Sequence, residues 1–291
     1  MNLKKNAFQN EQFLLDTITK EQKLKTDVPL IISIDEVGRG CVAGPVLSCV
    51  SLWTLKGYDP NFKTKNQNWV SFIDDSKKLS EKKRAQCFDL ILSDYNFNLS
   101  SIPFSNINPN NLNQLVSSKT KLHYKSDLFI NKKHSDYSNE YECIYFSLGE
   151  ASSQEVDEFN IWNAVQLAIA RALNNLYYTF QSSSNSNIYP NLNQAIILMD
   201  GKHFIKVPIE FEKNIQATVT QADGLFISVG FSSIIAKVYR DTFMINQDTL
   251  YPSFGFSGHK GYGTPKHLNI IQNIGICPLH RKSFLTNYYS N

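Results

Sequence analysis

The sequence predicts an α/β fold from three features. Two apolar, β-branched runs, Leu30–Ile34 and Val46–Trp53, are joined by a short glycine-rich turn and read as an antiparallel strand pair. A continuous apolar run, Ala195–Met199, ends in Asp200 and Gly201 and reads as a buried central strand. Between them, Ser152–Glu155 forms an S-x-x-E capping box, and Trp162, Val165, Ile169, Leu173 and Leu176 follow at helical spacing.

The chain has 291 residues, enough for one large domain or two small ones. With 42% apolar and 19% charged residues it falls among globular proteins. A net charge of +3 is too mild to indicate nucleic acid by itself. Five cysteines, an odd number at irregular spacing with no C-x-x-C, argue against a disulfide framework or zinc site and for a reducing compartment. The polar N-terminus lacks a signal-peptide core, and no run nears the roughly 18 apolar residues of a membrane span. A cytoplasmic location is expected.

In chain order, residues 1–28 predict an amphipathic helical arm (Phe8, Phe13, Leu14, Ile18) resting on the surface of a main body, 29–291. The first strand ends in Asp35 and Glu36, followed at once by Gly38, Arg39 and Gly40. An acidic pair at a strand end is ordinarily a solvated turn, but the glycines let a backbone come close to a ligand. Residues 56–70 read as loop. Ser80 is the expected N-cap of the next helix. Lysines 77, 78, 82 and 83 crowd its start against the macrodipole. The plain reading is a solvated helix start, and the functional one is a phosphate arriving from outside. Residues 95–141 hold nine Asn and eight Ser without a sustained period, which predicts a surface insertion, partly ordered at most. A second Asn/Ser-rich loop covers 181–194. The aromatic and aliphatic stripe from Trp162 is core. Residues 216–223 alternate as a strand ending in Asp223, and a helix follows over 225–246. A Pro/Gly-rich aromatic segment and a short helix, His267–Gln272, lead to PLHRKSF.

Four acids thus stand at strand ends: Asp35, Glu36, Asp200 and Asp223. Clustered carboxylates repel one another unless cations sit between them. Hard oxygen ligands suit Mg²⁺ or Mn²⁺, and two such ions can drive phosphodiester hydrolysis. Each acid alone has a bland reading; the recurrence of acidic strand ends favours a site.

The segments SIDEVGRG…AGPV, DSKKLSEKKR, LMDG, SSIIAKVYRD, YPSFGFSGHKGYGTPKHL and PLHRKSF, in this order, resemble type 2 ribonuclease H, specifically the bacterial ribonuclease HII family, over about 29–93 and 142–287. The resemblance implies a ribonuclease H-like fold, a mixed β-sheet flanked by helices with a C-terminal helical and loop segment. It implies a metal-dependent endonuclease that cuts the RNA strand of RNA–DNA hybrids, including single ribonucleotides embedded in duplex DNA. Asp35, Glu36, Asp200 and Asp223 are the implied catalytic ligands of two Mg²⁺ or Mn²⁺ ions. Gly38, Arg39 and Gly40 form the implied 2′-hydroxyl-reading turn, and Tyr262 the sugar-stacking ring. Lys77, Lys78, Ser233 and Lys237 lie in motifs used near phosphates. A monomer without a membrane partner is expected. The chain departs from relatives at Gln221-Ala222 before Asp223, at Gly230-Phe231 and at Cys41. Two other classes compete: a silent hybrid-binding module, disfavoured by the intact acid set, and a DNA nuclease or recombinase, disfavoured by a turn that reads the 2′-OH.

Overall fold

Alternating burial along the strands builds a sheet with a hydrophobic core on each face. The computed structural model describes residues 8–24, 30–55, 68–73, 79–95, 109–129, 141–182 and 192–288. The elements are α1 (Gln9–Glu21), β1 (Leu30–Val37), β2 (Val46–Leu55), α2 (Glu81–Tyr95), β3 (Val116–Ser117), β4 (Thr120–Tyr124), β5 (Tyr141–Ala151), α3 (Ser153–Phe159) and α4 (Ile161–Ser182). They continue with β6 (Ile196–Asp200), β7 (Lys206–Val207), β8 (Ile215–Val219), α5 (Ala222–Leu225), α6 (Ile227–Leu250), α7 (Phe256–His259), α8 (Pro265–Ile274) and α9 (Lys282–Leu285).

Six strands form one mixed sheet in the order β4-β8-β6-β1-β2-β5. β1 runs antiparallel to β2 and parallel to β6, and β4 and β6 both run parallel to β8. Successive side chains of a strand point to opposite faces. Ile31 therefore packs with Leu14, Ile18, Phe88, Ile91 and Phe231 from α1, α2 and α6. Ile32 and Ile34 pack with Val165, Ile169 and Leu173 from α4. This two-sided burial is why β1 and β6 are nearly continuous apolar runs.

The capping box forms as the sequence predicts, with Ser152 and Glu155 bonding each other's backbone N–H. The helix that follows is interrupted. Asn160 takes φ 68°, and its side chain accepts from the Trp162 and Asn163 N–H groups, so α4 starts afresh. Ser80 accepts from Lys83 N–H at the start of α2.

Three expectations need correction. The 95–141 segment is not wholly a surface insertion. Residues 120–124 pair along β8 as an edge strand of the main sheet. An edge strand buries one side and is held by backbone bonds, so Asn/Ser-rich surroundings hide it from a compositional reading. Nor does the N-terminal helix merely rest on the surface. Leu14 and Ile18 are fully buried, and Phe8 sits 5.7 Å from Trp53 and 5.9 Å from Tyr141 between ring centroids. Asp223 does not end a strand: β8 stops at Val219, and Asp223 lies in α5. Most of the loops predicted at 56–70 and 181–194 fall outside the described residues.

Phe129, within the supposed insertion, is buried with its ring 4.9 Å from Phe226 and 5.8 Å from Phe13. Phe129→Ala is expected to cost about 3–5 kcal/mol, the range for truncating a core aromatic. Urea denaturation measures it; a loss near zero would return this segment to the surface.

Candidate active site

Parallel strands deliver side chains to a common edge. β1 and β6 lie side by side and parallel, so Asp35 and Glu36 emerge at the same end as Asp200. β8 is the next parallel strand, and the turn after it carries Asp223. The carboxyl ends of adjacent parallel strands are where open α/β sheets place their sites.

Asp35 shares a face of β1 with Ile31 and Ser33, toward α6. Its carboxyl is held well above the usual carboxylate range. Burial is the main cause, followed by Glu36; Asp223 and Asp200 add to it, and a hydrogen bond with the Ser233 side chain opposes it. Glu36 accepts from the Arg39 guanidinium at 3.1 Å, and the same guanidinium lies 5.6 Å from the centre of the Trp162 ring. Asp200 Oδ1 accepts from the Ala222 N–H at 2.8 Å. That bond anchors a turn in which Gln221 adopts the left-handed conformation, φ 62°, uncommon for a side-chain-bearing residue. Gly230, one of the departures, lets α6 lie against this corner: a Cβ there would come within 2.9 Å of the Asp223 carbonyl.

The four carboxylates are hard oxygen donors, and a divalent cation among them would relieve the repulsion that raises Asp35. The donor chemistry fits Mg²⁺ or Mn²⁺. Among the described residues no group of three or more His, Cys, Asp or Glu side chains is already gathered in ligating geometry.

Two buried arginines hold the turn beside the acids. Arg240 of α6 donates Nε to the Pro45 carbonyl, Nη2 to Ala43 and Nη1 to Lys260, each at 2.9 Å. Arg281 donates Nε and Nη2 to the Gly44 carbonyl at 3.0 and 2.8 Å, and Nη1 to Arg39 at 3.1 Å. Burial pulls the Arg281 pKa down to about 10. Gly38, at φ 92°, sits where a Cβ would come within 2.4 Å of Arg240 Nε, whereas a Cβ on Gly40 would meet open space. The first glycine therefore serves the clamp, and the second leaves backbone open to a ligand.

Tyr262 stands across this turn. Its backbone bridges Cys41, and Val42 and Ala43 donate N–H groups to the Gly261 carbonyl. The phenol is pushed up by burial and by Cys41, whose side chain it hydrogen-bonds. Lys237 Nζ lies 5.3 Å from the centre of the Tyr262 ring and pairs with Asp241 at 2.8 Å. Ser233 is buried against Asp35. Lys77 and Lys78 lie outside the described residues.

Sequence reasoning gave no role to Arg240 or Arg281, which lie within the SSIIAKVYRD and PLHRKSF segments, and missed Asn10 and Glu11. A lone arginine in an apolar helix was the available signal for the first. The last two come from α1. Asn10 donates to the Leu225 carbonyl at 2.6 Å. Glu11 is fully buried and accepts from the backbone N–H and hydroxyl of Ser228 at 3.0 and 3.1 Å. This carboxyl oxygen accepts from the first turn of α6, whose N–H groups have no intrahelical partner, and burial outweighs the helix macrodipole in setting its protonation. The arm thus braces the segment that follows Asp223.

A family model described as Ribonuclease HII matches residues 32–140 and 143–287. That match runs through the segment expected to be an insertion. The chain is 30% identical to a ribonuclease HII of Clostridioides difficile (strain 630) over 87% of its own length and 69% of the relative's. It is 31% identical to one of Borrelia recurrentis (strain A1), over 88% of its length and 98% of the relative's. Among solved structures it resembles a chain of the PCNA:RNase HII complex from Archaeoglobus fulgidus, at 18% identity and a TM-score of 0.45, over 88% of this chain and 94% of that one.

Burial lifts Glu11 from 4.5 to about 7. The folded chain therefore holds this proton more tightly than the unfolded one. Its stabilising contribution is complete below about 4.5 and is lost as pH rises through about 7. Glu11→Gln is expected to flatten the stability profile between these values, and Glu11→Ala to cost about 1–3 kcal/mol by leaving the buried Ser228 N–H without this acceptor. Denaturation midpoints across pH 4–8 for the three proteins check both; an unchanged slope in the Gln variant would assign the titration elsewhere.

Proposed function

The chain belongs to the ribonuclease HII family, and on that footing we propose that it cuts the RNA strand of RNA–DNA hybrids, including single ribonucleotides embedded in duplex DNA. It is an endoribonuclease, a phosphodiester hydrolase. The observation that carries the proposal is the parallel alignment of β1, β6 and β8, which brings Asp35, Glu36, Asp200 and the turn bearing Asp223 to one sheet edge.

In this reading Asp35, Glu36, Asp200 and Asp223 hold two divalent ions, Mg²⁺ or Mn²⁺. Ions bound there would polarise the scissile phosphate and make an attacking water more acidic. The protein's own groups set the substrate in place. The open backbone at Gly40, beside Arg39, meets the 2′-hydroxyl. A site built around that hydroxyl rejects DNA because its polar groups are left unpaired without it. The Tyr262 ring faces the neighbouring deoxyribose, and Lys237 beside it meets phosphate, a contact that positions without reading sequence.

The test uses three matched duplexes: all DNA, one ribonucleotide, and a continuous RNA strand, with and without Mg²⁺ or Mn²⁺. Wild type is expected to cut the latter two only when metal is present. Asp35→Asn and Asp200→Asn should lower the rate by orders of magnitude while the melting temperature in chelator stays level or rises, since one repelling charge is gone. Near-wild-type turnover in either variant overturns the metal assignment.

The tyrosine has its own prediction. Tyr262→Ala should lose most single-ribonucleotide cleavage, and Tyr262→Phe no more than about tenfold, the worth of one neutral hydrogen bond. An Ala variant that cuts this duplex like wild type would make the tyrosine structural.

A further inference from the structure

Behind Tyr262 lies a ladder of imidazoles that this chemistry does not use. His259 ends α7, His267 sits in the first turn of α8, and His280 follows in the C-terminal segment. His267 is fully buried and His280 nearly so. The His259 and His267 rings stack at 3.9 Å, and Phe254 and Phe256 pack around the group. The Nε2 atoms of His267 and His280 lie 3.0 Å apart.

Neighbouring backbone groups fix where the protons sit. The Tyr262 carbonyl can only accept, and it lies 2.9 Å from His267 Nδ1, so that nitrogen carries hydrogen. Two Cys277 backbone groups face His280 Nδ1: the N–H at 2.9 Å and the carbonyl at 3.2 Å. The carbonyl already accepts from the His280 N–H at 3.0 Å, whereas the Cys277 N–H is aimed at the ring, so the shorter contact leaves Nδ1 bare and puts the hydrogen on Nε2. His280 Nε2–H then donates to the bare Nε2 of His267. Both rings are neutral. Changing the tautomer of either ring alone sets two lone pairs or two N–H groups face to face. Burial favours the same state, lowering each pKa to about 4. The other titratable groups facing the pair are the His259 ring, itself lowered, and the Cys277 thiol, 3.2 Å from His280 Nδ1. On its far side His280 pairs through its backbone with Ala43, next to the carbonyls that Arg281 holds.

We propose that His267 and His280 are positioning residues that fix the Tyr262 backbone relative to the Gly38–Ala43 loop, so that the ring meets the sugar beside a ribonucleotide. This rests on the reading of Tyr262 as the sugar-facing ring. The pair acts through hydrogen bonds, so shape alone does not replace it.

The experiment is a double-mutant cycle in the full chain, on the single-ribonucleotide and continuous-RNA duplexes. His267→Phe keeps a ring without nitrogens, and His267→Asn keeps the donor toward the Tyr262 carbonyl. His267→Phe is expected to lose about tenfold on the single-ribonucleotide duplex and less on continuous RNA. His267→Asn should restore part of that loss. Adding Tyr262→Ala to His267→Phe should cost no more than Tyr262→Ala alone. Equal losses on both duplexes, or additive losses in the double variant, would overturn the proposal and leave the pair as packing. Tyr262→Ala alone reports separately: if it cuts like wild type, the reading of the tyrosine fails whatever the histidines do. Should His267→Phe not fold, imidazole nitrogen NMR of wild type decides. Hydrogen on His280 Nε2 and none on His267 Nε2 at neutral pH supports the ladder, and any other pattern refutes it.

Discussion

The site depends on a loop whose carbonyls are held by two buried guanidinium groups. Residues 38–45 form no strand, so their backbone groups need partners from elsewhere. Arg240 and Arg281 supply six N–H donations to this loop and to Lys260. Each hydrogen bond from a charged donor contributes about 1.5–3 kcal/mol, and each buried carbonyl left without one would cost about 1–3 kcal/mol. A lysine could not replace either arginine, because only a planar fork reaches several carbonyls at once. Burying these cations is costly in itself, as the lowered Arg281 shows. The return is a turn fixed beside the carboxylates before any ligand arrives.

The carboxylates show the opposite economy. Three parallel strands converge so that Asp35, already short of water, also feels Glu36, Asp223 and Asp200. Hydrophobic burial on both faces of β1 and β6 holds the strands in that arrangement. A fully buried Leu or Ile stabilises by about 1.5–3 kcal/mol, and the 21 buried Leu and Ile side chains of these two cores, among the described residues, outweigh one crowded acid. Protein donors blunt the repulsion in part: Ser233 on Asp35, Arg39 on Glu36 and the Ala222 N–H on Asp200.

Helix α6 links both features. Its serines let it lie close to the sheet: the Ser232 hydroxyl is 2.7 Å from the Ser51 hydroxyl and donates to the Ser33 carbonyl at 3.2 Å. From that position it presents Ser233 to Asp35, Arg240 to the turn and Lys237 to Tyr262. Its first turn is capped by Glu11 of the N-terminal arm, so a segment distant in sequence braces the corner that bears Asp223.

The sequence by itself determined the parts governed by local periodicity. Two-sided burial makes β1 and β6 apolar runs, an amphipathic stripe makes α4, and the Ser152–Glu155 box starts α3, all readable from neighbours a few residues apart. Acids after those runs marked the strand ends, and six ordered motifs carried the resemblance. Tertiary structure alone decided the rest. β4 is held by backbone pairing to β8, which side-chain composition does not record. Asp223 lies in a helical turn because the Asp200 carboxylate captures the Ala222 N–H, an interaction across 22 residues. The Arg240 clamp spans 195 residues to Pro45, and Glu11 reaches 217 residues to Ser228. Hydrogen bonds and charges act over a few ångströms in space whatever the separation in chain, so only the folded backbone could bring these partners together.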